Sequence, residues 1–347
     1  MTAPIWLNLT LIAFTAAVFG ATPALARPTL PFGVRIPARR IGDPAVARTR
    51  RRYRRGIVTT AVLAGLAVVL SPAVFAWTPR IDVVLTTLVV VCALLGSLAH
   101  HSIVTAKRDG DWYAGTKQAV AADTSLRTDP VRPQWILIAP ATALAVITTV
   151  VGMLAGMDAY ATVFAQFLIV ALVALLALAI PRARPEIDAG QPAGSAARYR
   201  EYLHGVLSLL LVSAGCANAT LLVVSLQVWT LVETTVPITV VGYSPLVVAF
   251  AAWTVFSYRA GDAGHRLAPA SEGAETRYEQ RDDDRYWRVA GMVYLNRNDP
   301  ALLVHRRVGT YWTLNLGHPV SWVILTAVAV VAVLAGFGVL TLPSKGA

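Results

Sequence analysis

The sequence predicts an all-α transmembrane helical bundle of about eight spans, with a small β-hairpin or three-stranded unit before the last span. Hydrophobic residues make up 56% of the chain and charged residues only 14%, whereas soluble domains carry about 25% charged residues. The apolar residues fall into runs near the roughly 20 residues that a helix needs to cross a bilayer. Helices are expected because lipid offers backbone groups no hydrogen-bond partner. The runs lie near 5–25, 57–76, 83–103, 135–156, 160–180, 204–228, 236–257 and 320–342.

Basic residues predict the orientation of these spans. The connecting segments 26–56, 104–134, 181–203 and 258–319 hold 28 of the 30 Lys and Arg residues. Loops rich in Lys and Arg stay in the cytoplasm. The four segments are therefore expected to be cytoplasmic, with both termini outside. The net charge of +11 is then a consequence of topology and of attraction to anionic lipids, and nucleic acid is not expected as a partner.

The first apolar run has two interpretations. We expect it to remain as a membrane span. Alternatively, Ala24-Leu25-Ala26 is a small-residue cleavage site of the kind that follows a signal peptide. No Lys or Arg precedes the run, so the basic segment that begins a signal peptide is missing.

The remaining chain divides by composition. The segment 181–203 and the linker 258–281 are rich in small or charged residues and predict flexible connections. Aromatic and β-branched residues in 282–319 favour short strands separated by the turn Asn296–Pro300. The acidic run Asp282–Asp284 lacks the spacing of a calcium loop and is expected to be a solvated strand entry. The expected units are 1–25 (first span), 26–56 (basic cytoplasmic loop), 57–257 (core of three helical hairpins), 258–281 (linker), 282–319 (β unit) and 320–347 (last span and external tail).

Two groups of motifs resemble a catalogued bacterial domain of unknown function. The first comprises Trp287, Asn298-Asp299-Pro300, Arg306-Arg307, Gly309, Trp312-Thr313-Leu314-Asn315 and Pro319. The second is Phe32–Pro37 followed by Tyr53, which is similar to the loop after the first span in the same multi-pass proteins. The resemblance implies a bacterial inner-membrane protein, distantly similar to the immunity proteins against the sporulation-delaying toxin. Arg306 and Tyr311 depart from the pattern, which more often has Lys and Gly there.

Few polar side chains occur inside the predicted spans. Gln166, Asn218 and Gln227 are the deepest, and either join helices by hydrogen bonds or line a small polar cavity. Asp, Glu, Lys and Arg are missing from the span centres, which argues against a proton-coupled pump.

The sequence shows no pattern typical of an enzyme. It contains no phosphate-binding loop, dinucleotide fingerprint or hydrolase motif. His100 and His101 are adjacent, so on a helix they point about 100° apart and do not readily share a metal ion. Cys92 and Cys216 are expected to be buried thiols. We therefore predict a protein without enzymatic activity, cofactor or metal.

The expected function is a sensing, immunity or regulatory role exerted through a cytoplasmic surface that binds anionic lipid headgroups or a protein or peptide partner. Aromatic and Arg residues often anchor interfaces. The alternative is a transporter or permease component with a polar cavity near Gln166, Asn218 and Gln227. The residues expected to form the surface are Phe32, Arg35, Trp287, Asp299, Arg307, Trp312 and Asn315.

Overall fold

The computed structural model describes residues 5–75, 80–268, 276–309 and 311–336, without the side chains of 72–75 and 335–336. Within these residues seven helices are long and apolar enough to cross a membrane. They are the first three long helices of the chain and the four long helices that precede the last one. The last predicted span begins as a helix, but its expected continuation to 342 lies outside the described residues. In chain order the helices are α1 (Ile5–Leu25), α2 (Pro44–Phe75), α3 (Ile81–Asp109), α4 (Ser125–Thr128), α5 (Ala139–Leu154), α6 (Tyr160–Ala179), α7 (Pro192–Val228), α8 (Val236–Ala260) and α9 (Pro319–Gly336).

Helices α2 and α7 begin well before the apolar runs that predicted them. Both start at a proline, whose fixed φ suits the first helical position and whose missing N–H costs nothing there. At α2 the side chain of Asp43 also accepts a hydrogen bond of 2.9 Å from the backbone N–H of Ala45. The later part of the predicted loop 26–56 and of the predicted linker 181–203 is therefore helical.

The membrane helices pack in two groups. In the first, α1, α2 and α3 contact one another. In the second, α7 packs against α5, α6 and α8, and α5 packs against α6. The rings of Phe14 on α1 and Phe250 on α8, 5.4 Å apart, join the two groups.

The strands are shorter and more divided than the sequence predicts. A single strand was expected across 286–295, but Val289, Ala290 and Gly291 have φ angles of 50°, 53° and 84° and interrupt it. L-residues rarely adopt this left-handed backbone. The described residues form three two-stranded sheets, the first parallel and the others antiparallel: β1 (Gln118–Ala119) with β2 (Glu279–Gln280), β3 (Trp287–Arg288) with β4 (Val293–Tyr294), and β5 (Leu303–His305) with β6 (Trp312–Leu314).

The connections rich in Lys and Arg meet at one end of the helical bundle. We call this folded body the connector unit and define it as residues 27–43, 110–134, 180–191, 261–268 and 276–318. Its first sheet joins the α3–α5 connection to the α8–α9 connection. A bridge between Arg184 and Val304 joins the α6–α7 connection to the same body. The connections are thus parts of one folded unit.

Candidate functional site

Two buried arginines from distant parts of the chain share one carboxylate at the centre of the connector unit. Arg35 Nε donates a hydrogen bond of 2.8 Å to Asp283 Oδ1. Arg307 Nη2 pairs with the same oxygen, and Arg307 Nη1 pairs with Asp284 Oδ1. Both arginines are buried, and Arg307 is fully so. The two motif groups of the sequence therefore meet at Asp283.

Further ion pairs bring the other connections into this network. Arg35 Nη2 pairs with Glu186 from the α6–α7 connection. Lys107, in the last turn of α3, places its Nζ 2.7 Å from Asp282 Oδ2 and 2.6 Å from Asp284 Oδ2. The end of α3 and the segments after α1, α6 and α8 are thus held by one set of charges.

The arginines keep the buried carboxyl groups ionised. Burial alone would raise the pKa of Glu186, but Arg35 and Arg27 outweigh it and lower that pKa to about 2. For Asp283 burial acts the same way, and Arg35 and Arg307 overcome it and hold the pKa below its usual range. Removing one partner of a buried ion pair typically costs about 3–5 kcal/mol, because the other charge is left uncompensated.

A tight backbone contact surrounds Arg307. Its Nη1 donates a 3.0 Å hydrogen bond to the Gly33 carbonyl oxygen, and its guanidinium lies 5.0 Å from the ring centroid of Trp287. A Cβ at Gly33 would lie 2.5 Å from the carbonyl oxygen of Ala290. Gly33 also has a φ of 77°. Glycine is therefore required where the loop Phe32-Gly33 meets the turn 289–291.

The Asn298-Asp299-Pro300 motif forms a second polar cluster. Arg184 Nη1 pairs with Asp299 Oδ2 and donates a 3.0 Å hydrogen bond to the Tyr294 hydroxyl oxygen. That hydroxyl donates in turn to Asp299 Oδ2 at 3.0 Å. The other oxygen of Asp299 accepts the backbone N–H of Ala301 at 3.0 Å, which shapes the turn.

Asn315 organises the turn and the start of α9. It is fully buried, and its Nδ2 donates to the carbonyl oxygens of Asn296, Asp299 and Ala301 at 2.9, 3.0 and 3.2 Å. Its Oδ1 accepts the backbone N–H groups of Asn296 at 3.0 Å and Gly317 at 2.9 Å. The Asn315 carbonyl oxygen accepts the Ser321 hydroxyl at 2.6 Å.

A third cluster surrounds His305, which is fully buried. Its Nδ1 donates a 3.0 Å hydrogen bond to the carbonyl oxygen of Arg306, and its Nε2 lies 3.5 Å from Asp262 Oδ1. Arg27 Nε holds the other Asp262 oxygen at 3.0 Å. The ring of Trp312 packs on His305 with centroids 5.3 Å apart. Burial lowers the pKa of His305 and favours its neutral form.

Most of the residues expected to form a partner surface lie inside the connector unit. Phe32, Arg35, Trp287, Arg307 and Asn315 are buried. Asp299 and Trp312 are half-buried. These side chains hold the unit together and leave its outer surface to other residues. The exposed large apolar side chains described on the unit are Val120, Tyr278, Val289, Met292, Leu295 and Tyr311.

The acidic half of this site was not predicted from the sequence. Asp283 and Asp284 are largely buried, with side chains 16% and 24% exposed, so the expectation of a solvated strand entry is wrong for them. Glu186 and Asp262 were not singled out at all. The one available signal was the acidic run itself, which directly precedes the motif group that contains Arg307.

The polar residues of the spans fall into two places. Gln166 Nε2 donates to the carbonyl oxygen of Asn218 at 3.0 Å, and Asn218 Nδ2 donates to that of Ala141 at 2.9 Å. These bonds join α5, α6 and α7. Gln227 lies near the far end of α7, where its Nε2 is 3.3 Å from Thr239 Oγ1 of α8. The geometry favours helix–helix bonding over one shared cavity.

Among the residues described, no group of three His, Cys, Asp or Glu residues is arranged to hold a metal ion. Cys92 is buried and Cys216 half-buried, and neither forms a disulfide.

Comparison with known proteins gives one match. A model described as a family of unknown function (DUF5808) matches residues 297–322. This range contains the Asp299 turn, Asn315 and the start of α9, and it confirms the expected domain of unknown function in this part of the chain. No curated protein matches the sequence, and no solved structure matches it.

We predict that Asn315→Ala destabilises the connector unit by on the order of 3 kcal/mol, because several buried backbone groups lose their partner together. Amide hydrogen exchange should show lost protection in 294–316. The control is Asn298→Ala, which changes an exposed side chain. Equal protection in the two variants would contradict the role given to Asn315.

The pKa of Glu186 predicts a dependence of stability on pH. Its folded pKa, about 2, lies below the ordinary value of 4.5. The stability that ionised Glu186 adds to the folded state is therefore complete above pH 4.5 and is lost as the pH falls towards 2. Glu186→Gln should lower stability at neutral pH and make the acid-induced loss shallower in unfolding experiments in detergent. Glu201→Gln, at an exposed position, should keep the wild-type profile; if both variants keep it, the assignment fails.

Proposed function

We propose that this protein is a non-enzymatic, multi-pass protein of the bacterial inner membrane with a sensing, immunity or regulatory role exerted through its connector unit. The observation that carries the proposal is the buried ion network around Asp283. It turns four loops into one folded body that receives the ends of several membrane helices. A body of this kind suits recognition, because a rigid scaffold holds its surface in place.

The distribution of basic residues supports a cytoplasmic location for this unit. The connecting segments 26–56, 104–134, 181–203 and 258–319, parts of which form this unit, carry 28 of the 30 Lys and Arg residues of the chain. Arg51, Arg52, Arg54 and Arg55 are exposed in the first turns of α2. They suit contact with anionic lipid headgroups next to the membrane.

The outer surface of the unit suits a protein or peptide partner. Val289, Met292 and Leu295 expose 65%, 44% and 41% of their surface within one short segment. Exposed apolar side chains grouped on a folded unit often mark an interaction site. Most of the network's charged side chains bond one another, which suits a structural role better than catalysis. The resemblance to toxin-immunity proteins agrees with a role in binding.

The second candidate function is a transporter or permease component. It is favoured by Gln166 Oε1 and Asn218 Oδ1, which are buried and have no hydrogen-bond partner among the residues that the structure describes. A polar substrate or water would satisfy such oxygens. The hydrogen bonds between α5, α6 and α7 favour the first candidate, because they account for the amide nitrogens of both residues.

Photo-crosslinking in native membranes tests the proposal. A photoreactive amino acid at Met292 or Tyr278 should give a discrete protein or peptide adduct, because both positions are exposed on the connector unit. The control is the same probe at Tyr160, exposed at the opposite end of the bundle. Only lipid adducts at all three positions would contradict the proposal. Loss of export of a compound in Gln166→Leu and Asn218→Leu, without such adducts, would favour the transporter.

A further inference from the structure

A cleft of about 490 Å³ opens in the connector unit between the segment after α1 and the start of α7. Arg27 and Thr29 contribute to one side. Gln191, Ser195 and Arg198 contribute to the other. Gln191 directly precedes α7, and the spacing of three residues places Ser195 and Arg198 on one face of that helix. The cleft therefore has a wall built on a long, regular helix.

Two of the four arginines that line the cleft take no part in ion pairs among the described residues. Arg35 is committed to Glu186 and Asp283. Arg27 binds Asp262 through Nε, and its Nη2 is buried without a hydrogen-bond partner. Arg198 and Arg277 also line the cleft, and neither forms a salt bridge within the part of the chain that the structure describes.

The carboxylates of the cleft are already engaged. Glu186 pairs with Arg35 and lies 3.9 Å from Arg27. Asp188 Oδ1 accepts the backbone N–H of Gly190 at 2.9 Å, and Glu279 Oε2 accepts that of Ala38 at 3.0 Å. Each carboxylate thus accepts at least one hydrogen bond or ion pair, whereas the guanidiniums of Arg198 and Arg277 have no ion pair among the described residues and remain as donors. The positive end of the α7 dipole acts in the same direction.

We infer that this cleft binds a phosphate-bearing anion between Arg198 and Arg277, on the side of α7 that faces Arg27. The planar guanidinium fork matches the oxygens of a phosphate group and binds them in pairs. The inference rests on the proposed function, because the bound anion is the ligand that the connector unit senses. Arg27 follows α1 by two residues. A phospholipid headgroup at the membrane surface and a soluble phosphorylated metabolite both present this chemistry.

The test uses the purified full chain in phosphatidylcholine nanodiscs, with two probes. Inorganic pyrophosphate represents the soluble source, and phosphatidylglycerol added to the nanodiscs represents the lipid source. Ligand binding raises the unfolding temperature, and native mass spectrometry reports retained lipid. At least one probe should bind saturably, and the probe that binds identifies the source.

The variant Arg198→Gln/Arg277→Gln should bind that probe on the order of tenfold more weakly for each arginine removed. The matched control is Arg127→Gln/Arg297→Gln, which removes the same charge at exposed positions outside the cleft. It should bind like the wild type. No saturable binding of either probe, or an equal loss in both double variants, would overturn the inference.

A second measurement does not depend on how the arginine variants fold. Ala38 is exposed and lines the cleft. In the Ala38→Cys variant, the bound probe should slow the reaction of the introduced thiol with a maleimide. The parent chain, labelled in parallel, gives the background reaction of Cys92 and Cys216. Unchanged labelling at saturating probe would contradict the site. Of the two crosslinking positions proposed for the connector unit, Tyr278 lines the cleft and Met292 does not. A protein adduct at Met292 can therefore form even if the cleft binds no phosphate, so the two proposals can fail separately.

Discussion

The carboxylate of Asp283, shared by two buried guanidiniums, is the constraint on which the connector unit depends. Arg35 and Arg307 come from opposite parts of the chain, and both would be unfavourable in a protein interior without a negative partner. Asp284 and Glu186 supply the remaining negative charge. Because each group needs the others, the unit is expected to form only when all of its segments are in place.

This arrangement ties the membrane helices to the unit. Lys107 connects the end of α3 to the acidic run, Glu186 connects the segment after α6, and Arg35 connects the segment after α1. Asn315 fixes the start of α9 through Ser321. A displacement of one helix end is therefore transmitted to charges shared with the others. This coupling is the physical basis of the proposal that the protein has a sensing or regulatory role.

The sequence predicted features that depend on local composition. Long apolar helices and the grouping of basic connections at one end follow from residue content alone. It missed features that depend on distant contacts. Asp283 looked like part of a solvated acidic run because neither of its partners is near it in the sequence. Arg35 lies in the first connection, and Arg307 lies beyond an intervening turn. The early start of α2 was missed because an arginine-rich stretch contains no apolar run.

The same limit applies to the candidate site residues. The motifs identified Arg35, Arg307 and Asn315, but residue type alone favoured an exposed surface, and the structure buries all three. The interruption at Val289 and Ala290 was not predictable, since neither residue type favours a positive φ. It is set by the contact of this turn with Gly33.

A double-mutant cycle on Asp283 and Arg307 tests the central claim most directly. Asp283→Asn and Arg307→Met should each lower the free energy of unfolding by about 3–5 kcal/mol, because each leaves buried charge without its partner. The double variant should lose less than the sum of the two by at least about 1 kcal/mol. Additive losses, or single losses near zero, would show that the shared carboxylate does not hold the connector unit together.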